Sequence, residues 1–203
     1  MDSKWNERYA QEAYAYGTEP NAFLKEQLAG ITPGKILFPA EGEGRNAVYA
    51  ATLGWDVYAF DGSEEGRKKA MKLAEDRGVS IHYSIDTFES CNYAPESFDA
   101  VALIYAHVPA DVKDASYSRI MDWLKPGGLI LMEAFSKKHV EYKKANSRVG
   151  GPDELGMLFS TDEINSYFAS VHTELLEETE VTLNEGLFHV GTGSVIRFIA
   201  QKK

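Results

Sequence analysis

The sequence predicts a single α/β domain, in which helices cover both faces of a mostly parallel sheet that ends in an antiparallel hairpin. Two observations support this fold. Between residues 35 and 135, short apolar runs alternate with amphipathic helical stretches, as in strands joined by helical crossovers. The last two apolar runs, in contrast, are separated by too few residues for a crossover helix, so they should pair antiparallel.

Composition limits the class of protein. A chain of 203 residues fits one domain, and 44% hydrophobic residues are enough for a buried core. The formal net charge of -10 argues against nucleic acid and against an anionic membrane surface as partners. Cys91 is the single cysteine, which excludes an internal disulfide, and residues 1–8 carry no apolar leader. No apolar run approaches the roughly 20 residues that a membrane span needs, so we expect a cytoplasmic protein.

The first 30 residues are expected to form a helical segment in front of the sheet. A helix is predicted over residues 4–13, where aromatic side chains recur on one face. A turn-rich stretch with two tyrosines follows over residues 14–21, and a short amphipathic helix is predicted over residues 22–28. Residues 35–203 are then expected to form the core of the domain.

The elements of the core follow from periodicity and from end signals. Seven segments have the pattern of strands, and they are 35–40, 55–60, 80–85, 98–105, 129–135, 175–183 and 194–200. Four segments have the pattern of helices, and they are 45–53, 64–77, 111–123 and 161–169. Gly78 is expected to end the second of these helices, and Ser160 to cap the last. The stretch between residues 136 and 159 is rich in glycine and lysine and is expected to be a loop.

A glycine-rich turn is predicted between the first strand and its helix. Gly42 and Gly44 lack a Cβ atom, so the backbone here can turn sharply and approach a ligand closely. The helix that follows offers unpaired N–H groups and the positive end of its dipole to a carboxylate or a phosphate. Residues 42–47 have the form G-x-G-x-x-A, which also fits a dinucleotide-binding turn. A tight turn without a ligand is the structural alternative.

Acidic residues follow the second and third predicted strands. Asp61 is placed to accept hydrogen bonds from both hydroxyls of a ribose. Asp86 is placed to accept a hydrogen bond from an adenine amino group, and Phe88 to cover the ring. The structural alternatives are an acid at the start of a helix for Asp61 and an ordinary loop acid for Asp86.

In this order, the features resemble those of the class I S-adenosylmethionine-dependent methyltransferases over nearly the whole chain. The most specific local match is the Leu-Lys-Pro-Gly-Gly stretch at residues 124–128, which follows a strand opening at residues 98–101. The terminal hairpin resembles that family's reversed seventh strand. The resemblance implies a Rossmann-like, seven-stranded sheet, S-adenosylmethionine as the cofactor, and direct in-line transfer of a methyl group to a small acceptor.

Within this class, the chain is most similar to the tellurite-resistance-type and thiol methyltransferases. The likeness rests on residues 5–9, 16–21, 44–47, 150–152 and 189–200. It implies an amino-terminal segment that closes over the cofactor, and the aromatic lid candidates are Trp5, Tyr9, Tyr14 and Tyr16. For Trp5 and Tyr9, a helix face docked on the core is an equal alternative. A thiol, a metalloid oxyanion and a small metabolite all remain open as acceptors.

The resemblance also implies a set of site residues. The residues expected to contact the cofactor are Tyr16, Ala40, Glu41, Gly42, Gly44, Asp61, Gly62, Ser63, Asp86, Thr87, Phe88 and Tyr105. His107 is the candidate for acid–base catalysis or for orienting the acceptor, with a purely structural role as its alternative. Arg45 is expected to hold the methionine carboxylate or an anionic acceptor, and His189 and Arg197 to approach the acceptor. The loop 137–148, with four lysines, His139 and Arg148, is expected to attract an anionic acceptor unless it is only a solvated face.

The chain departs from the family pattern at two positions. Phe38 stands where the family usually has an acid that contacts the methionine ammonium, so we expect Glu41, backbone carbonyls or water to take that role. Ala40 stands in place of the first glycine, which is tolerable if its φ is negative. These departures leave a non-catalytic S-adenosylmethionine-binding module as one alternative, and the shared turn leaves an NAD-dependent oxidoreductase as another. No metal is expected, because the histidines lack a ligand spacing and Cys91 alone cannot build a cysteine-rich zinc site.

Overall fold

Seven strands form one sheet in this computed structural model, which describes residues 3–203; Met1 and Asp2, where the predicted amino-terminal segment begins, lie outside the described residues. The strands are β1 (Lys35–Pro39), β2 (Asp56–Asp61), β3 (His82–Ile85), β4 (Phe98–Ile104), β5 (Leu124–Phe135), β6 (Val171–Glu185) and β7 (His189–Lys202). The helices are α1 (Ser3–Tyr9), α2 (Ala22–Leu28), α3 (Arg45–Thr52), α4 (Glu64–Asp76), α5 (Lys113–Trp123), α6 (His139–Ala145) and α7 (Thr161–Tyr167). Within the described residues, none of these helices has the length and apolar character that a bilayer span requires.

The strand order β3-β2-β1-β4-β5-β7-β6 brings the carboxyl ends of the parallel strands β1 to β5 to one edge of the sheet. β1 lies in the middle of this parallel part, with Ile36 opposite both Val57 and Ala100. β7 runs antiparallel between β5 and β6, so the last strand of the chain fills the place beside β5, and β6 forms the outer edge. The predicted fold class, a mostly parallel seven-stranded sheet with a terminal hairpin, is confirmed.

The sheet separates two apolar layers, because neighbouring residues of a strand point to opposite faces. Ile36 and Phe38 of β1 are fully buried on the face that α2, α3 and α4 cover. Leu37, between them, is buried on the other face, beneath α5 and α7. Burying one such side chain contributes about 1.5–3 kcal/mol, so the sheet needs helices on both faces.

Helix α1 ends at Tyr9, before the predicted end at residue 13. Residues 11–13 are exposed, so a longer helix would have no apolar face to pack against the protein. A short helix that gains no tertiary packing is unstable in water, which explains why the helical pattern of the sequence continues further than the helix itself.

Helix α6 lies inside the stretch that was predicted to be a loop, so that prediction was wrong for residues 139–145. The sequence gives this helix no apolar stripe, because its one buried side chain is His139. The imidazole of His139 stacks on the ring of Phe135, with the ring centroids 3.8 Å apart. Tertiary packing at one position therefore stabilises a helix that periodicity does not reveal.

The terminal hairpin is longer than predicted. β6 and β7 pair, with one shift of register between Thr173 and Leu175, up to Glu185 opposite His189, so the turn consists of residues 186–188. Gly191 and Gly193, which were predicted to belong to the connection, lie within β7. At Gly191 an added Cβ atom would lie 2.5 Å from Nδ2 of Asn146, so this glycine permits a close approach between the strand and the loop after α6.

The start of α7 provides a test of local helix stability. Ser160 accepts the N–H of Glu163, and Glu163 accepts the N–H of Ser160 at 2.9 Å, so the two form a capping box. Replacing Ser160→Ala is expected to lower the free energy of unfolding by about 1 kcal/mol, measured by urea denaturation. Ser118→Ala, on the exposed side of α5, is the matched control. Equal stabilities of the two variants would contradict the capping role.

Candidate active site

The glycine-rich turn between β1 and α3 packs so closely against its neighbours that two of its glycines cannot carry a side chain. Gly44 precedes α3 with a φ of 85°, and an added Cβ atom would lie 2.5 Å from Cβ of Ala70 in α4. Gly42 has a φ of 63°, and its added Cβ atom would lie 2.6 Å from the hydroxyl of Tyr9 in α1. Packing on α1 and α4 therefore sets the shape of the turn.

Ala40, directly before this turn, has a φ of 52°. The condition under which alanine would be tolerable here, a negative φ, is therefore not met. A side chain in the left-handed region costs roughly 1–2 kcal/mol, and the glycine that the family usually has at this position avoids that cost. The strain is located where the backbone leaves β1 and enters the candidate cofactor site.

Glu41 lies at the amino end of α3 and occupies part of the helix terminus that was expected to bind a ligand carboxylate. Its Oε1 atom accepts the N–H groups of Asn46 and Ala47, each at 2.8 Å. Burial raises the pKa of the Glu41 carboxyl to about 7, although these two bonds and the nearby Arg45 act in the opposite direction. A cation placed beside Glu41 would favour its ionised form.

Asp61, at the end of β2, connects the glycine-rich turn to the start of α4. Its carboxylate accepts the N–H of Gly42 at 3.0 Å and the N–H of Ser63 at 2.8 Å. Ser63 caps α4 by accepting the N–H of Gly66 at 3.0 Å. Gly62 lies beside open space, since an added Cβ atom would have no neighbour within 4 Å. These predicted site residues meet at one edge of the sheet, and their contact with a cofactor stays a prediction.

The residues after β3 have different environments. Asp86 is half-buried and accepts a hydrogen bond from the Ser90 hydroxyl at 3.0 Å. Thr87 is exposed, and its hydroxyl accepts the N–H groups of the two residues that follow Phe88. Phe88 is buried and meets Phe60 edge-on, with the ring centroids 5.3 Å apart. The predicted adenine contacts of these residues stay predictions.

The amino-terminal segment covers this edge of the sheet. Tyr9 is buried over Gly42 and stacks with Trp5, at a centroid distance of 5.6 Å. Tyr14 donates its hydroxyl hydrogen bond to the carbonyl of Lys69 at 3.1 Å. Tyr16 packs against His189 of the hairpin at 4.4 Å between ring centroids. The aromatic lid candidates therefore contact both the core and the hairpin.

A cavity of about 340 Å³ lies between this segment and the hairpin. Its lining residues are Tyr16, Gly17, Thr18, Glu19, Pro20, Asn21, Ala22, Phe23, Arg45, Tyr105, Glu133, Val181, Thr182, Leu183, Asn184, Glu185, Gly186 and Arg197. Arg45 begins the helix after the glycine-rich turn, and Tyr105 directly follows β4, so the cavity adjoins the edge where the other predicted residues lie. Among the predicted catalytic residues, Arg45 lines this cavity and His107 does not.

Glu133 places a buried carboxylate in the wall of the cavity. Its side chain is 3% exposed and accepts hydrogen bonds from Nε of Arg197 at 2.8 Å, Nδ2 of Asn21 at 2.7 Å and the hydroxyl of Tyr105 at 3.0 Å. These partners come from β7, from the residue before α2 and from the end of β4. One carboxylate therefore connects three separate parts of the chain.

Glu185, at the end of β6, places a second carboxylate in the same wall. It pairs with Nη2 of Arg45 at 3.0 Å and with Nδ1 of His189 at 2.9 Å, and it accepts a longer bond from Asn21 at 3.3 Å. Burial alone would raise the pKa of Glu185, but His189 and Arg45 lower it to about 2. Burial lowers the pKa of His189 despite this neighbour. Glu185 is therefore ionised and holds Arg45 in place.

Tyr105 and His107 follow β4 and differ in what they can offer to a substrate. Tyr105 has a φ of 52°, and burial, with Glu133 nearby, raises the pKa of its hydroxyl well above the ordinary value. His107 has Nδ1 at 2.9 Å from the carbonyl of Met157, and its Nε2 accepts the N–H of Phe135 at 3.2 Å. Burial lowers the pKa of His107 to about 3, so the ring is neutral and both nitrogens are engaged within the protein.

Sequence reasoning missed Asn21, Glu133 and Glu185 as cavity residues. A signal was present for Glu133, which is the one charged residue in the apolar run 129–135. Such a carboxylate in a strand covered on both faces must have a partner, because an unpaired buried charge is very costly. Asn21 and Glu185 lie in stretches that read as turns, where polar residues carry no special information.

Comparison with known proteins agrees with this architecture. Residues 36–128 match the methyltransferase domain family. A structure from work on the conversion of a disulfide bond into a thioacetal group during echinomycin biosynthesis has 18% identity and a TM-score of 0.77, covering 100% of this chain and 90% of the other. TehB from Haemophilus influenzae has 18% identity and a TM-score of 0.71, covering 100% of this chain and 67% of the other.

A third solved structure comes from Burkholderia thailandensis. It is a 1,6-didemethyltoxoflavin-N1-methyltransferase with bound 1,6-didemethyltoxoflavin and S-adenosylhomocysteine, with 16% identity and a TM-score of 0.62, covering 90% of this chain and 79% of the other. At these identities the structural likeness shows the shared fold. A search of curated proteins finds no match to the chain.

The fold, the family match and the turn at the edge of the sheet define the class of this protein. Residues 36–128 match a methyltransferase domain, and the chain has the Rossmann-like fold of methyltransferases. It is an S-adenosylmethionine-dependent methyltransferase, with S-adenosylmethionine as its cofactor. It transfers a methyl group from that cofactor to an acceptor. The antiparallel β7, inserted between β5 and β6, belongs to this class, and an NAD-dependent oxidoreductase does not account for it.

The packing of the glycine-rich turn generates a prediction for stability. Gly54 has a φ of 92° and no atom within 4 Å of an added Cβ, so Gly54→Ala measures backbone strain alone, about 1–2 kcal/mol. Gly44→Ala adds the clash with Ala70, and we expect a total loss of about 3 kcal/mol or more in the free energy of unfolding. Urea denaturation of both variants checks this. Equal losses would show that Gly44 is not closely packed.

The environment of Glu41 generates a prediction for pH dependence. Because burial raises its pKa to about 7 from 4.5, the contribution of Glu41 to stability is present below about pH 4.5 and is lost as the pH rises through about 7. Glu41→Gln keeps an oxygen acceptor but does not ionise. Between pH 4.5 and pH 8, the unfolding free energy of the variant should therefore gain roughly 2–3 kcal/mol over the wild type. Urea denaturation of the cofactor-free proteins measures this difference.

The control for this comparison is Glu26→Gln, which removes an exposed carboxylate from α2. Its stability relative to the wild type should change little over the same pH range. A flat difference for Glu41→Gln as well would mean that Glu41 ionises without a burial cost.

Proposed function

We propose that the protein methylates a small molecule, which is a thiol, a metalloid oxyanion or a small metabolite, in the cavity beside Tyr105. The observation that carries this proposal is the position of the cavity. It lies beyond the carboxyl ends of β4 and β5, where ligands of open α/β sheets bind. Its volume of about 340 Å³ is at the lower end of the range for small-molecule sites.

The residues at the edge of the sheet fit the cofactor of this class. In the proposed site, Asp61 accepts the ribose hydroxyls and Asp86 the adenine amino group, and Gly62 borders open space beside them. Glu41 binds the methionine ammonium, because Phe38 stands in β1 at the position where the family usually has the acid for this role. The raised pKa of Glu41 supports this role, because burial outweighs the effect of the nearby Arg45 and a bound ammonium would further favour the ionised carboxylate.

Methyl transfer depends on alignment and on exclusion of water. When bound, S-adenosylmethionine supplies an electrophilic methyl group on a sulfonium. The chain has to hold an acceptor in line with that group, an effect worth up to roughly 7–11 kcal/mol in favourable cases. Residues 16–23 and residues 181–186 of the hairpin line the cavity. The two segments are joined beside it, because Leu187 donates its N–H to the carbonyl of Ala15 at 2.9 Å.

Arg45 and His107 receive different roles in this proposal. Arg45 lies in the cavity wall, where its pair with Glu185 holds it, and in this proposal it orients the acceptor. His107 acts as a positioning residue, because its two ring nitrogens hold the carbonyl of Met157 and the N–H of Phe135. It thereby fixes the end of β5 relative to the segment before α7.

We also propose the finer assignment, to the tellurite-resistance-type and thiol methyltransferases. It is supported by the amino-terminal segment that covers the cavity. Tyr16 and the stretch up to Asn21 line the cavity, as expected for a segment that closes over the cofactor. We also propose that the chain is one domain, with residues 3–30 as its cover and residues 35–203 as its core. The buried, unpaired Cys91 is consistent with a reducing cytoplasm as its compartment.

The experiment for this proposal has two stages. Calorimetric titration with S-adenosylmethionine, S-adenosylhomocysteine and NAD establishes which cofactors bind. Formation of S-adenosylhomocysteine is then measured with a thiol, with tellurite and with a small nitrogen heterocycle. Turnover of one of these acceptors supports the proposal. Cofactor binding without turnover of any small acceptor would contradict it.

Asp61 provides a prediction for cofactor affinity. Asp61→Asn should weaken binding of S-adenosylmethionine by about 1–3 kcal/mol, since an ionised hydrogen-bond acceptor is lost, and calorimetry measures the change. Asp99→Asn is the matched control, because Asp99 pairs with Lys125 at the opposite end of β4. The control should bind the cofactor normally. Unchanged affinity of a folded Asp61→Asn variant would remove Asp61 from the site.

A further inference from the structure

We infer that the acceptor is uncharged or cationic when it enters the cavity, and that anions, including metalloid oxyanions, are excluded. This inference rests on the proposed function, because it concerns the same cavity. It narrows the three acceptor classes that the family resemblance leaves open. Two independent observations carry it, one inside the cavity and one on the loop that was expected to attract an anion.

Inside the cavity, each lining arginine already has a buried carboxylate as its partner. Arg45 pairs with Glu185 at 3.0 Å, and Arg197 pairs with Glu133 at 2.8 Å. The further charged residue in the lining is Glu19, which adds a negative charge and pairs with the exposed Arg77. Among the described residues that line the cavity, no positive charge is left without a carboxylate partner.

Two neutral donors in the cavity wall, the Asn21 amide and the Tyr105 hydroxyl, are engaged by the same two carboxylates. Asn21 donates to both Glu133 and Glu185, and Tyr105 donates to Glu133. An oxyanion would have to displace a carboxylate from its arginine, and that carboxylate would then be buried without a partner, which is strongly unfavourable. An uncharged acceptor leaves these pairs intact, and a cationic one is attracted by the carboxylates.

The second observation concerns the lysines of the loop 137–148. Each of the four lysine ammonium groups lies between 2.5 and 2.7 Å from a carboxylate oxygen. The pairs are Lys137 with Glu163, Lys138 with Glu178, Lys143 with Asp153 and Lys144 with Glu141. His139 adds no positive charge at neutral pH, since burial lowers its pKa to about 4. Each lysine of the loop is therefore balanced by a carboxylate, and the exposed Arg148 is the one further cationic side chain there. The net charge of -10 of the whole chain itself repels anions.

Uncharged acceptors are compatible with the chemistry of the transfer. A lone pair of the acceptor forms the bond to the methyl carbon, while the bond from that carbon to sulfur breaks and its electron pair stays on sulfur. An uncharged thiol or amine that carries a hydrogen then releases a proton to water. The positive charge passes from the sulfonium to the methylated acceptor and leaves with that proton, so an uncharged acceptor needs no anion beside it in the cavity.

The experiment compares two thiols of equal length and opposite charge, cysteamine and thioglycolate, together with tellurite. Each is titrated by calorimetry at pH 7 into protein saturated with S-adenosylhomocysteine. Cysteamine is expected to bind at least about tenfold more tightly than thioglycolate, and tellurite not to bind. Equal affinity of the two thiols, tighter binding of thioglycolate, binding of neither thiol, or binding or methylation of tellurite would overturn the inference. Failure to bind S-adenosylhomocysteine would instead count against the proposed function.

Charge variants test the cause of the exclusion. Glu185→Gln removes the partner of Arg45, and thioglycolate and tellurite should then bind at least about tenfold more tightly than to the wild type. Glu174→Gln removes one exposed carboxylate from the same strand, and it should leave both affinities unchanged. If Glu185→Gln does not fold, Glu133→Gln serves in its place by releasing Arg197. A folded variant that gains no affinity for either anion would overturn the assignment to the paired arginines.

Discussion

The constraint on which the candidate site depends is the burial of the Glu133 carboxylate in the wall of the cavity. An ionised group at this depth is tolerated only with partners, and the partners have to come from other parts of the chain. Arg197 provides the charge from β7, Tyr105 provides a hydroxyl from the end of β4, and Asn21 provides an amide from the covering segment. The position of β7 beside β5 is therefore both a feature of the fold and the condition for a charge-balanced cavity.

Much of the fold could be predicted from the sequence because its signals are local. The alternation of strands and helices predicted the sheet, and Ser160, as an N-cap, predicted the start of α7, where the structure has a capping box with Glu163. The prediction failed for helix α6, which depends on one tertiary contact and not on a local sequence pattern. Helix α6 exists through the stacking of His139 on Phe135, and no periodicity reports such a contact.

The candidate site likewise contains residues that local signals predict and residues that only tertiary contacts determine. The glycine-rich turn and Asp61 could be predicted, because their places follow from the order of strands and turns. The left-handed Ala40 could not, since its backbone angle results from packing around the turn. The cavity residues were harder to predict still. The hydrogen bonds of Asn21 to Glu133 and to Glu185 join residues that are 112 and 164 positions apart in the sequence, and that of Arg45 to Glu185 joins residues 140 apart. Local sequence patterns therefore do not indicate which residues these polar side chains pair with.

The contact between the covering segment and the hairpin turn has a consequence for the order in which the chain folds. An added Cβ atom at Gly186 would lie 2.5 Å from the backbone nitrogen of Gly17, so the two stretches of backbone touch. The ribosome makes residues 15–17 long before residues 186–188. Domains fold as their residues emerge, and contacts between residues far apart in the sequence form slowly. The amino-terminal segment is therefore synthesised first but docks on the hairpin turn last. During synthesis the nascent chain therefore exposes its cavity until the final hairpin is complete.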